Sequence, residues 1–267
     1  MSESISQEVL EALDAIMEEQ HKEIPENSKS ILVKETTSRF SGAIWYNKIQ
    51  EMEVTLAGVG GIGSWVALLL SKLDIARLNM YDFDSVEPVN MAGQFYSSSQ
   101  MGSFKTSAVS ESLRNYARYF KAYCFNQRYT ENDIRTKVMI CGFDNMEARK
   151  TFFYSWLEAV KSSINKNEFL FIDGRLNAEE FQVFAIEGDN VAAIDKYKEE
   201  FLFDDSEVEE TICSYKQTSF MSNMIASFMV NIFVNFVANQ CDPIIPRDIP
   251  FFTSYTADTM FTKMMIL

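Results

Sequence analysis

Four glycines and three aspartates stand out for what their types and spacing could do. The run Gly58-Val59-Gly60-Gly61-Ile62-Gly63-Ser64 lies between a short apolar segment and a longer one. A strand feeding such a turn, with a helix opening straight after it, presents free backbone N–H groups and a positive dipole end to an anion. The glycines divide the work: Gly58 makes the tight turn, Gly60 lets a pyrophosphate or triphosphate approach, and Gly63 lets the helix pack on the strand. Asp82 follows Gly58 by 24 positions, a distance at which a carboxylate accepts both ribose hydroxyls of a nucleotide. The expected ligand is therefore a nucleotide whose ribose carries no 2′-phosphate. Asp144 and Asp173 each follow an apolar run, at 138–141 and 169–172.

These residues need a frame. Val54, Leu56 and Ala57 read as a buried strand, residues 65–70 as the opening of a helix, and Leu78, Met80 and Asp82 as a second, alternating strand that ends at Asp82. Strand patterns at 123–128, 138–141, 169–172 and 182–186, with a helix at 146–160, continue the alternation. The expectation is a doubly wound α/β sheet, in which ligands gather at the carboxyl ends of the strands. Asp82, Asp144 and Asp173 all fall there. Residues 220–237 form a long apolar segment without a charge, interrupted by Asn223, Ser227, Asn231, Asn235 and Asn239 at intervals of four. A helix of that kind suits a core or a subunit interface better than lipid, where the amides would need partners. At the other end, Ile5, Val9, Leu13 and Ile16 mark an amphipathic helix that Pro25, Asn27 and Ser28 break. Residues 1–35 thus read as a helical arm and 36–267 as one domain.

Composition narrows the class. The 267 residues are 47% hydrophobic, enough for a substantial core, and carry a formal charge of −14, which argues against a nucleic-acid partner. Cys124, Cys141, Cys213 and Cys241 are scattered with no C-x-x-C pair, so neither structural zinc nor a disulfide framework is expected, and the setting reads as cytoplasmic. His21 is the single histidine, placed at the polar end of the arm as a solvated residue. Histidine-based hydrolysis and His-ligated metal chemistry are excluded on that count.

Five motifs then follow in order: Gly58-x-Gly60-Gly61-x-Gly63; Asp82-Phe83-Asp84-x-Val86; Asn90 and Gln94; Gly102-x-x-Lys105; and Cys141-x-x-Asp144-Asn145-x-x-x-Arg149. Together they resemble the ThiF-type adenylyltransferases, relatives of the ubiquitin-activating enzymes that activate ubiquitin-like and sulfur-carrier proteins. The resemblance implies the Rossmann-like fold of that adenylation domain. It also implies attack by the terminal carboxylate of a small carrier protein on the α-phosphate of Mg-ATP, and a homodimer. It makes Lys105 the phosphate-contacting lysine, Asp144 the magnesium ligand and Asp82 the ribose acceptor. Asp84, Asn90, Gln94 and Asn145 then belong to the nucleotide site. Asp144 has an alternative reading as an N-cap for the helix after it, and Lys105 as a surface lysine on a helix running to Tyr119. Cys213 stands where some members carry a thiol that receives the carrier as a thioester, under an acidic crossover loop at 187–213; its alternative is a structural cysteine.

Two positions depart from the family pattern. Gly42 and Gly93 stand where phosphate-facing arginines are usual, leaving Arg39, Arg149 and Arg175 as the candidates to replace them. Two further readings follow. One is a nucleotide-binding pseudoenzyme acting as an assembly partner. The other is an NAD-dependent oxidoreductase, in which Lys105 and the Asp144-Asn145 motif would have no role.

Overall fold

The computed structural model describes residues 39–117, 121–203, 217–241 and 246–267. The helical arm with His21, the acidic run before Cys213 and Cys213 itself lie outside the described residues. A one-turn helix, α1 (Tyr46–Ile49), leads into β1 (Glu53–Ala57), and the glycine turn opens α2 (Gly61–Leu73). There follow β2 (Arg77–Tyr81), α3 (Lys105–Arg114), β3 (Ala122–Phe125), β4 (Val138–Cys141), α4 (Met146–Ser162), β5 (Leu170–Asn177) and β6 (Glu180–Glu187). The chain then forms α5 (Val191–Lys196), α6 (Ser219–Asn239), β7 (Phe252–Thr256) and β8 (Phe261–Met265).

The strands make one eight-stranded sheet in the order β3-β2-β1-β4-β5-β6-β7-β8. Pairing is parallel from β3 through β5 and antiparallel from β5 through β8. From β1 the chain winds outward through β2 to β3, then crosses to β4 on the opposite flank of β1. That reversal opens a crevice above the carboxyl ends of β1 and β4, where ligands bind in open α/β sheets. The expected α/β sheet is present, but β7 and β8 escaped the sequence reading. Their Thr, Ser and Lys residues give no continuous apolar run, and β8 is largely exposed.

Both faces of the parallel part are covered, which is why its strands read as almost unbroken apolar runs. Along β4 the two-residue period sends Val138 and Ile140 to the core shared with α2 and α6, and Met139 and Cys141 to the core around α4. In the second core Phe152, Phe153 and Trp156 of α4 meet Phe171 of β5 with ring centroids 5.2–5.9 Å apart. Helix α6 is long and apolar enough to cross a membrane, yet Met221, Ile225, Met229, Phe233 and Phe236 are fully buried in the first core. Its amides face the other way. Asn239 bonds the backbone of Arg247 at 2.8 and 2.9 Å, and Asn235 donates to Asp248 O at 3.1 Å. Asn235 and Asn239 thereby fasten the segment that returns to β7.

Candidate functional site

The glycine turn is fixed by close backbone contacts. Gly58 has φ +82°, and a Cβ there would lie 2.7 Å from the Gly142 carbonyl, so the turns after β1 and β4 can touch only through glycine. A Cβ on Gly63 would meet Gly58 O at 1.9 Å, so the first turn of α2 packs directly on the strand exit. The first backbone bond of α2 runs from Ser64 N to Gly60 O at 3.1 Å. The N–H groups before it have no partner within the helix and supply its positive end.

Asp82, at the exit of β2, holds this turn in place. Its Oδ2 accepts from Val59 N at 2.7 Å and its Oδ1 from Asp84 N at 2.9 Å. Burial pushes its carboxyl up from the ordinary value, against the opposing pull of the Asp84 N–H and the Lys105 charge. Each oxygen keeps a lone pair free for a further donor. Lys105 is 8% exposed and donates to Asp84 Oδ2 at 2.8 Å. It is not the surface lysine of the alternative reading, and its helix ends at Arg114.

Across the crevice, Asn145 and not Asp144 caps α4, accepting from Ala148 N at 2.9 Å. That corrects the N-cap reading of Asp144. The Asp144 carboxylate is exposed, and among the described residues it accepts from the Asn145 amide, at 3.2 Å. Gly58, Gly60, Gly61, Asp82, Asp84, Gln94, Lys105, Asp144 and Asn145 all line one cavity of about 820 Å³, within the range of small-molecule sites. Gly63 packs beneath it. Asn90 is buried outside the lining, where its Oδ1 accepts from Glu87 N at 2.8 Å. Among the described residues no three His, Cys, Asp or Glu side chains converge. A cation at Asp144 would thus be held by one carboxylate and by ligand oxygens, the arrangement magnesium accepts while keeping several waters.

Asp173 lies inside β5 rather than after it, with no exposure. It pairs with Arg149, with Arg175 Nε at 2.8 Å, and with the Tyr197 hydroxyl at 2.9 Å. Burial would raise this carboxyl, but the two guanidinium groups and the hydroxyl outweigh it and hold it below the usual range. Arg149 also donates to Phe143 O and Arg175 to Phe201 O, at 2.9 Å for the latter. Two of the three candidate replacement arginines are therefore committed to the scaffold. Arg39 is exposed and does not line the cavity. Gly42 has nothing within 4 Å of a built Cβ, whereas one on Gly93 would meet Gln217 O at 3.0 Å.

Gln217 and Arg128 are among the lining residues that the sequence reading missed. Gln217 lays its amide against Gly61, where a Cβ would be 1.9 Å from its Oε1. Arg128 was hidden by placing the strand at 123–128: β3 ends at Phe125, so residues 126–128 turn over the carboxyl edge.

The sequence profile of the ThiF family matches residues 32–264. The chain belongs to the ThiF family. Among curated ThiF relatives, "Ubiquitin-like modifier-activating enzyme 5" of Dictyostelium discoideum is 32% identical over 135 residues, 44% of this chain and 35% of that protein. The Arabidopsis thaliana protein of the same name is 41% identical over 68 residues, 26% of this chain and 16% of that protein. The matched stretches thus span only 16% to 35% of these relatives' length. The fold also matches solved ThiF-type structures. E. coli MccB with MccA-N7isoASN gives a TM-score of 0.68 at 12% identity, over 91% of this chain and 79% of that one. E. coli MccB with ATP gives 0.64 at 15% identity, over 95% and 82%.

Proposed function

We propose that this chain uses Mg-ATP to adenylate the terminal carboxylate of a small ubiquitin-like protein, sulfur carrier or peptide. The observation that carries the reading is the convergence, in one cavity at the sheet's switch point, of the glycine turn, Asp82, Lys105 and Asp144. Family membership supports it, as do the names of the relatives, which describe activation of ubiquitin-like modifiers, and the MccB structures with ATP and with MccA.

In the proposed reaction a carboxylate oxygen attacks the α-phosphorus, the bond to the bridging oxygen of pyrophosphate breaks, and that oxygen leaves with its electron pair. No proton need be transferred. The obstacle is charge, since an anion approaches a polyanion. The α2 N-terminus and the Lys105 ammonium would offset it in the transition state. Asp82 would anchor the ribose through both carboxylate oxygens. Asp144 and Asn145 would hold the magnesium side of the site, where the ion supplies further charge neutralisation. Cys213 would receive the activated carrier as a thioester, and a homodimer is the expected assembly.

The test is carrier-dependent exchange of pyrophosphate into ATP. Lys105→Ala should abolish it, while Cys213→Ala should leave it intact, because a thiol acts only after the adenylate exists. A thiol-labile carrier conjugate seen with wild type and lost in Cys213→Ala would place the thiol in the pathway. A second reading, nucleotide binding without adenylation, is favoured by Gly42 and Gly93 together with the capture of Arg149 and Arg175 by Asp173. Tight ATP binding with no exchange for any carrier would support it. Binding of NAD in preference to ATP would instead favour the oxidoreductase.

A further inference from the structure

Among the described residues four cations line the cavity, and they are held differently. Lys105 is paired with Asp84, while Arg149 and Arg175 are paired with Asp173. Among the described residues Arg128 pairs with no carboxylate, and its guanidinium carbon lies 3.8 Å from the centroid of the Phe83 ring. Phe83 is itself 46% exposed. A large apolar ring is left half open to solvent here, at the cavity wall, with a planar cation laid over it. A cation this close to a ring is attracted by the negative π face, and a guanidinium adds a flat surface of its own.

The position of this pair along the sheet gives it a meaning. The phosphate-suited turn lies at β1 and the ribose-suited Asp82 at β2; Phe83 follows Asp82, and Arg128 lies in the loop leaving β3. β3 flanks β2 on the side away from β1. A nucleotide with its phosphates at β1 and its ribose at β2 therefore brings its base toward the Phe83–Arg128 pair.

We propose that Arg128, set over Phe83, is the base-stacking residue of this cavity and gives it a preference for a purine nucleotide over a pyrimidine nucleotide or a bare polyphosphate. The inference rests on reading the cavity as an ATP site. Stacking on an arginine plane grows with the area of the base, and it leaves the phosphates untouched.

The test compares ATP, CTP and inorganic tripolyphosphate by calorimetry on the full chain, using wild type, Arg128→Ala, Arg128→Lys and Asp82→Ala. Both Arg128 variants should bind ATP about tenfold more weakly, the affinity equivalent of ~1.4 kcal/mol. The ATP-over-CTP preference should shrink and tripolyphosphate affinity should stay unchanged. Lysine keeps the charge but not the plane. Arg128→Lys binding ATP as wild type does would therefore overturn stacking, and equal losses for ATP and tripolyphosphate would make Arg128 a phosphate contact. Unchanged ATP affinity in the Arg128 variants beside a loss in Asp82→Ala would overturn this inference alone. A wild type that binds no nucleotide would overturn both it and the reading on which it rests.

Discussion

At the scale of single residues, the buried charges divide into scaffold and site. Asp173 holds Arg149 and Arg175, which line the cavity, together with Tyr197, and these partners lower its pKa despite its burial. Asp173→Asn would leave the buried Arg149 guanidinium and the partly buried Arg175 guanidinium uncompensated. The expected cost is about 3–5 kcal/mol near neutral pH, read by urea unfolding. Because the folded-state value is lowered, the carboxylate contributes stability above its unfolded pKa of about 3.9 and loses that contribution as pH falls through the lower folded value. The gap between wild type and Asp173→Asn should therefore narrow in acid, and a gap constant down to pH 3 would contradict the ion-pair account. The place of Asp82 in the cavity was legible in the sequence because its spacing after the glycine turn constrains it, and that of Lys105 only through the resemblance to the family. The commitment of Arg149 and Arg175 was not, because it depends on Asp173 falling inside β5, one strand position that apolar patterning could not set.

At the scale of elements, the glycine turn and α4 carry the site. An alanine at position 63 would gain about 1 kcal/mol in helix propensity. Its Cβ would also strike Gly58 O at 1.9 Å, a backbone atom that can move only by disturbing the turn. Gly63→Ala should thus lower both the melting temperature and ATP affinity; a stabilised variant with normal affinity would show that the turn is not tightly set. Removing the α4 cap with Asn145→Ala should cost about 1 kcal/mol in thermal unfolding, while Asp144→Ala, whose carboxylate caps nothing, should cost little. The sequence marked β4 and the start of α4 closely, since a short apolar run ended at Gly142. It overran β3, where Tyr123, Cys124 and Phe125 pass into Asn126-Gln127-Arg128 without a glycine or proline to mark the end, and Arg128 was lost with it.

At the scale of the whole molecule, the order of strands makes the crevice, and that order follows from the sheet rather than from any one segment. The apolar excess of residues 220–237 suits a core or a subunit interface, and the structure gives most of it to the core, because the buried face of α6 packs against α2, β5 and β6. The homodimer is accordingly a proposal resting on family resemblance alone. Light scattering is expected to give about twice the chain mass; a value of 30.7 kDa at micromolar concentration would contradict it. The central claim, that the crevice is a Mg-ATP site, is tested most directly by titrating ATP into the full chain by calorimetry, with and without magnesium. Wild type should bind ATP more tightly with magnesium than without, Asp82→Ala should lose about tenfold or more in both conditions, and Asp144→Ala should lose only the magnesium-dependent gain. ATP affinity unchanged in both variants would contradict the account.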